Sequence, residues 1–576
     1  MSYNDEYRRW LETPVLTEEE RNELLQLEGN EKELESRFYA PLGFGTAGLR
    51  GVMAMGLNRM NIYVIRQTTQ ALAKLIKANG GEERGAAIAY DCRINSERFA
   101  REAACVLAAN GIKVFLFDGL RPTPELSFAI KRYGCIAGIN VTASHNPKEY
   151  NGYKAYWEDG AQLPPEHARI VEAEIRDTDI FTGARLTGFD RAVSGGLITM
   201  LGGETDEEFL ACALGQSIDR GTVGRIADEF KVVYTPFHGA GYRLVPEILR
   251  RIGVKNIIPV AEQMIPDGNF PTVANPNPEY AVGYTLALEY AKRHGGDIII
   301  GTDPDSDRVG LMFRERDGEY TLLSGNQTGA LLLEYIASAR KRMGAIPEKS
   351  YAIRTIVSSD MIDAICENYG LEVEETFTGF KFIAERIGEL EPEGRHYIFS
   401  YEESFGYLVG DYCRDKDAVT ASMLICEMAA SYAEKGKNLR DAMNEMYEKY
   451  GAYTDETISV MMPGINGSKR MDDLMESFRN GGFKFPGGFK IRSMTDFETG
   501  EVISDGGVTR KLRLKGSNVL SFEFDGDRKL MVRPSGTEPK IKFYIFAKGK
   551  DMEEAARRKE TMTGLVKRIE KEQREG

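Results

Sequence analysis

The chain has no CxxC pair, no GxxxxGK-Ser/Thr phosphate loop, no GxSxG elbow and no HExxH. These absences argue against a structural zinc site, a P-loop nucleotide hydrolase, an elbow-type serine hydrolase and a zinc protease. Cysteine is sparse. Cys92, Cys105, Cys135, Cys212, Cys366, Cys413 and Cys426 are odd in number and widely spaced, which speaks against a disulfide framework and for a reducing compartment. No uninterrupted apolar run is long enough for a bilayer span. The first residues, Met1–Glu6, are polar where a signal peptide would carry an apolar core, so a soluble cytoplasmic protein is expected. Positive charge is in the minority: 74 Lys and Arg stand against 88 Asp and Glu, for a net charge of -14. Such a surface repels nucleic acid and anionic lipid. A small anionic ligand needs cations concentrated at its site.

What is present fits a large α/β protein. With 576 residues, 42% of them apolar, the chain is long enough for about three to five domains. Ala86–Tyr90 and Val114–Phe117 read as strands flanking a helix that Ser96 can cap and Asn110-Gly111 can close, a βαβ unit. The pattern returns with strands near 231–234, 256–260 and 297–300, helices near 242–251 and 284–293, and again with a strand at 396–399. Residues 188–207 and 451–467 read as boundaries. Beyond them, 519–525 and 541–548 alternate apolar and polar residues as half-buried antiparallel strands do. A final charged helix offers Met552, Ala556, Leu565, Val566 and Ile569 for packing.

Five segments carry chemistry. Gly301-Thr-Asp-Pro-Asp-Ser-Asp-Arg308 follows a strand, and Asp303, Asp305 and Asp307 can converge on one hard cation. An EF-hand would need Gly and Glu where Arg308 and Arg314 stand. Three Asp ligands leave octahedral positions open, as magnesium bound to a phosphate oxygen requires. Val141-Thr-Ala-Ser-His-Asn-Pro147 puts Ser144 and His145 on a loop, with Lys154 close in sequence. Arg533-Pro-Ser-Gly-Thr-Glu-Pro-Lys540 joins two strands and presents Arg533, Ser535, Gly536 and Thr537, groups that can wrap a phosphate; it is also simply a long turn. Gly43–Gly51 contains a GxGxxG that no strand precedes, so it reads as a glycine-rich loop presenting Arg50 to an anion. Tyr401-Glu-Glu-Ser-Phe-Gly406 offers Glu402 and Ser404 to vicinal sugar hydroxyls, although such a sequence is more often an ordinary helix start.

In this order, the segments resemble the α-D-phosphohexomutase superfamily of phosphoglucomutases and phosphomannomutases. The resemblance covers nearly the whole chain and includes FGTAGLRG, Tyr234–Gly239 and Thr378-Gly379-Phe380-Lys381. It is closest to the longer branch holding bacterial α-phosphoglucomutases, phosphopentomutases and a glucose-1,6-bisphosphate synthase. Some dual-specificity members carry a histidine where Phe405 stands. The resemblance implies three α/β domains with mixed sheets, at 1–200, 201–318 and 319–450. It also implies a C-terminal α+β domain like the TATA-binding protein at 451–576, all around one cleft. The implied activity interconverts glucose 1-phosphate and glucose 6-phosphate through phosphorylated Ser144 and glucose 1,6-bisphosphate. Phosphomannomutase, phosphopentomutase and an inactive sugar-phosphate-binding relative are the alternatives. Mg²⁺ would be bound by Asp303, Asp305, Asp307 and a phosphoserine oxygen, with Arg50 and Arg308 balancing charge. Glu402, Ser404, Gly379 and Lys381 would meet the sugar, and Arg533, Ser535, Gly536 and Thr537 its phosphate. Lys154 or His145 would be the general base; Lys154 holds the family's position, and cationic neighbours could depress its pKa. Monomer and dimer both stay open.

Overall fold

The computed structural model describes residues 2–45, 48–462, 467–483, 485, 489–504, 507–535 and 540–575. The chain forms two compact units. The first comprises 1–325, 384–393 and 397–438, the second 326–383, 394–396 and 439–576.

The first unit contains two α/β domains. One is built on a six-stranded sheet in the order Gly48–Val52, Tyr150–Trp157, Ala137–Val141, Ala86–Tyr90, Val114–Phe117, Ile198–Leu201. Ala86–Tyr90 is buried at every position and pairs in parallel with both neighbours, which is why it reads as a continuous apolar run. Ile198–Leu201 completes this sheet beside Val114–Phe117, so the segment 188–207 is partly domain interior. The second domain has a five-stranded sheet in the order Tyr320–Leu322, Val309–Arg314, Ile298–Thr302, Lys231–Thr235, Asn256–Pro259. In both sheets the antiparallel pairings lie toward one edge, and the remaining strands, including the opposite edge strand, pair in parallel.

Residues of a third α/β domain fall in both units. The parallel pair Ser350–Thr355 and Glu372–Thr376 lies in the second. In the first, Ser400–Glu402 pairs with Gly406–Leu408 as an antiparallel hairpin. The fourth domain is a seven-stranded antiparallel sheet, with a core that joins its strands to the helices Gly467–Arg479 and Met552–Glu575. It is the α+β arrangement expected. Among the described residues no helix is long and apolar enough to cross a membrane, and all seven cysteines are unpaired.

Four local expectations need correction. Ser96 does not cap its helix: its Oγ donates to Asp91 Oδ1 at 2.8 Å, and Asn95, at φ 66°, precedes the helix without a side-chain cap. Arg50 sits in a strand rather than a loop, because Gly48 and Gly152 let two strands approach so closely that a Cβ on Gly48 would lie 2.0 Å from the Tyr153 carbonyl. The Tyr401–Gly406 segment is a hairpin turn, not a helix start. In the last helix Met562 joins Leu565, Val566 and Ile569 in the core, and Ala555 is buried while Ala556 and Met552 are exposed.

Candidate active site

Parallel strands end at one edge of their sheet, so the loops after Ala86–Tyr90, Ala137–Val141 and Ile298–Thr302 gather the polar groups. Ser144 lies three residues past its strand with φ 51°, a left-handed backbone rare for a non-glycine residue. Its Oγ donates to Asp303 Oδ2 at 2.8 Å and lies 3.2 Å from His145 Nδ1. The hydroxyl and the aspartate triplet, from different domains, thus meet directly.

The triplet is buried, and its three ligand oxygens lie within 4.8 Å of one another. Asp303 Oδ1 accepts from the backbone N–H groups of Asp307 and Arg308 at 3.1 and 3.0 Å, which closes the turn on itself. A second loop supports it from behind. Ala240 N–H donates to the Pro304 carbonyl at 2.8 Å, and a Cβ on Gly239 would lie 2.4 Å from Pro304 Cα. Glycine at 239 is what allows the metal loop to lie there.

Burial, then Asp305 and Asp307, drive the Asp303 carboxyl well above its ordinary pKa. Burial opposes ionisation of Asp305 too, but Lys154 and Thr123 hold it below the carboxylate range. The two neighbouring carboxyls are thus pushed in opposite directions, Asp303 up by burial and its like-charged neighbours and Asp305 down by Lys154. Asp305 Oδ1 and Asp307 Oδ1 are buried and have no hydrogen-bond partner. Orphaned carboxylate oxygens, converging carboxylates and a donor set made wholly of oxygen fit a hard divalent cation.

Lys154 Nζ lies 2.7 Å from Asp305 Oδ2 and 3.3 Å from Asp307 Oδ2. Burial would lower its pKa, but the two carboxylates outweigh burial and leave it raised. The depression expected from cationic neighbours does not occur, because the groups nearest Nζ are anionic. His145 behaves oppositely: burial, then Arg308 and Arg50, push it well below its ordinary value, so its ring is neutral. Arg308 pairs with Glu279 at 2.8 Å. Arg50 Nη1 donates to Asn146 Oδ1 at 2.8 Å on the Ser144 loop.

Glu402 is buried at the end of its strand and Ser404 is half-buried in the turn that follows. The Phe405 carbonyl accepts from Val309 N–H at 3.0 Å, tying the sugar-loop candidate to the strand after the aspartates. Gly379 and Lys381 stand at the start of the helix Phe380–Leu390, and Arg533 and Ser535 at the end of the strand Arg528–Pro534; these four belong to the second unit. Gly536 and Thr537 lie outside the described residues.

Sequence reasoning missed three groups. Lys416 Nζ lies 3.2 Å from Asp307 Oδ2 and 2.9 Å from Asp415 Oδ1. Its stem crosses Gly406, where a Cβ would meet it at 2.1 Å. The alternating charges Arg414-Asp-Lys-Asp417, between the sugar loop and a largely apolar helix, were the available signal. Thr123 donates from its N–H to the Asp305 carbonyl at 2.8 Å and from Oγ1 to Asp305 Oδ2 at 2.9 Å. Arg93 braces the Ser144 loop. Neither Thr123 nor Arg93 belongs to a recognisable motif.

A buried alcohol beside three convergent carboxylates, with lysines and an arginine around them, is an arrangement suited to phosphoryl transfer assisted by a divalent metal. Comparison with known proteins agrees. Models of phosphoglucomutase/phosphomannomutase alpha/beta/alpha domains I, II and III match residues 41–180, 220–318 and 324–450. A phosphoglucomutase of Staphylococcus saprophyticus is 34% identical over 530 residues, covering 91% of this chain and 94% of its own. Two solved structures share the fold. A phosphoglucomutase/phosphomannomutase family protein from Burkholderia thailandensis has a TM-score of 0.65 at 18% identity, over 92% of this chain and 98% of its own. The open form of pp63/parafusin, a phosphoglucomutase from Paramecium, has a TM-score of 0.67 at 17% identity, over 92% and 95%. The chain belongs to the phosphoglucomutase/phosphomannomutase family and is an enzyme of that isomerase class.

Proposed function

We propose that the chain interconverts α-D-glucose 1-phosphate and glucose 6-phosphate, with Ser144 carrying the phosphoryl group and glucose 1,6-bisphosphate as the intermediate. The observation that carries this reading is the 2.8 Å contact between Ser144 Oγ and Asp303 inside the aspartate triplet. Identity to phosphoglucomutases along nearly the whole chain supports glucose as the sugar. The division at 1–200, 201–318, 319–450 and 451–576 belongs to the same reading.

Asp303, Asp305, Asp307 and a phosphoserine oxygen would hold Mg²⁺. When bound it would neutralise charge and orient phosphoryl oxygens. Three aspartates and a phosphoserine total about -5, so further cations are needed. Lys154, Lys416 and Arg308 supply them at the triplet, with Arg50 on the Ser144 loop. The free sugar hydroxyl attacks phosphorus, the bond from phosphorus to Ser144 Oγ breaks, and the hydroxyl proton passes to a base. Ser144 Oγ takes up a proton as it leaves; neutral His145, beside Oγ, is placed to remove that proton again when Ser144 attacks the bisphosphate, and Lys154 stays an ammonium facing the phosphoryl oxygens. By resemblance, Glu402, Ser404, Gly379 and Lys381 are assigned to the sugar hydroxyls, and Arg533, Ser535, Gly536 and Thr537 to the distal phosphate. The bisphosphate then turns over so that its other phosphate faces Ser144.

Intact-mass measurement tests this. The purified protein should contain a fraction heavier by one phosphate, and Ser144→Ala should lose both that fraction and turnover. A fully active enzyme that never carries phosphate would overturn the reading.

A further inference from the structure

Ser144 is held in a conformation that its own residue type does not favour, so something outside the loop must impose it. Arg93 is placed to do so. It follows the strand Ala86–Tyr90, its side chain is fully buried, and its guanidinium faces the loop from inside the protein. Nη2 donates to the carbonyls of Ser144 and Asn146. Nη1 donates to those of Pro147 at 2.9 Å and Tyr150 at 3.0 Å. One rigid fork therefore closes a seven-residue stretch from the phosphoryl carrier to the first residue of the strand bearing Lys154.

The fork is fixed in turn. Arg93 Nε lies 3.3 Å from Asp91 Oδ2, and Asp91 Oδ1 accepts from Arg93 N–H at 2.9 Å. Asp91 Oδ2 also accepts from Thr142 Oγ1 at 2.6 Å, and Thr142 Oγ1 accepts from Ser144 N–H at 2.8 Å. Asp91 and Arg93 thus hold Ser144 from both its N–H and its carbonyl. The guanidinium lies over the Phe270 ring, 5.1 Å from its centroid. Beside it Gly268 meets the Arg93 backbone so closely that a Cβ would lie 2.4 Å from Ile94 N. Phe270 comes from the domain that carries the aspartate triplet, so the same arginine ties the carrier loop to the metal-loop domain.

We propose that Arg93, seated on Phe270, is the positioning residue that sets Ser144 Oγ for phosphoryl exchange; the proposal rests on the reading of Ser144 as carrier. It touches neither substrate nor metal ligand side chains and acts through the backbone of residues 144–150. A lysine keeps the charge but cannot span four carbonyls. A methionine removes charge and donors, and Phe270→Leu removes only the ring.

The test compares full-length Arg93→Lys, Arg93→Met, Phe270→Leu and Ser144→Ala by steady-state kinetics on glucose 1-phosphate with glucose 1,6-bisphosphate. Single-turnover labelling of the protein by ³²P-labelled glucose 1,6-bisphosphate reads the carrier step, and a thermal melt reports folding. Arg93→Lys should keep KM within about twofold and lose about a hundredfold in both kcat and labelling rate, the size expected for a misplaced reacting atom. Phe270→Leu should lose about two- to fivefold in labelling rate with KM unchanged. If Arg93→Met does not fold, the other two variants still decide. A folded Arg93→Lys that labels within about threefold of the unsubstituted rate, or that changes KM alone, overturns the proposal. Label retained on Ser144→Ala would sink the carrier reading itself, independently of Arg93.

Discussion

Gly239 offers a measurement of how tightly the metal loop is located. A methyl group at this position would meet Pro304 backbone atoms at 2.4 to 2.8 Å, and Pro304 stands between Asp303 and Asp305. Ordinary contact begins near 3.4 Å, so relief requires a displacement of about 1 Å from the 2.4 Å contact. Both sides of the contact are backbone, and the Ala240 N–H bond to Pro304 ties them together, so no side chain can swing aside. Overpacking of this kind costs about 1–3 kcal/mol of stability, and a shift of about 1 Å in a reacting group costs about a hundredfold in rate. Gly239→Ala should therefore remain folded with a lowered melting temperature and need more magnesium for half-maximal activity. Its kcat for glucose 1-phosphate isomerisation should fall about a hundredfold. The assay couples glucose 6-phosphate formation to a dehydrogenase across a magnesium titration. Wild-type kcat and magnesium dependence in this variant would refute the claim that Gly239 and Ala240 locate the triplet.

Other outcomes follow from the same geometry. Asp305→Ala should show no turnover at any magnesium concentration, checked in the same titration, because it removes a proposed metal ligand and the partner of both Lys154 and Thr123. Arg533→Ala should weaken sugar-phosphate binding by about 2–4 kcal/mol, read as a raised KM with a smaller change in kcat. Glu125 is buried near Arg121; burial first, then Asp206, raises its pKa well above the ordinary value. The folded protein therefore binds a proton there that the unfolded chain releases, so this contribution is complete at low pH and is lost as pH rises toward the folded pKa. Glu125→Gln should remove that slope, at most about 1.4 kcal/mol per pH unit. Unfolding curves at a series of pH values should show the variant gaining on wild type as pH rises, and parallel slopes would count against it.

Much of the fold was legible because its strands obey simple patterns. Ala86–Tyr90, buried on both faces, reads as an apolar run, whereas Lys540–Gly549, expected to be half-buried over 541–548, alternates only at its ends and is buried at every position from Phe543 to Ala547. The aspartate triplet was legible because its spacing is local: three carboxylates within five residues must converge if the turn is tight. Arg50 was misplaced because glycines that permit close strand pairing look like loop glycines until the partner strand is known. Lys154 was assigned the wrong electrostatic neighbourhood for a related reason. Its pKa depends on carboxylates about 150 residues away in sequence, and no one-dimensional pattern announces them. Arg93 and Thr123 escaped notice because their partners are backbone carbonyls and a distant aspartate, which leave no signature in residue type.

The left-handed backbone at position 144 has a consequence for which alcohol can serve there. Threonine offers the same hydroxyl chemistry, but its branched Cβ crowds its own carbonyl at φ 51°. Holding it there would cost on the order of 1–3 kcal/mol, so the loop would relax and carry the oxygen away from Asp303. The main chain, not the reactivity of the side chain, restricts this role to serine.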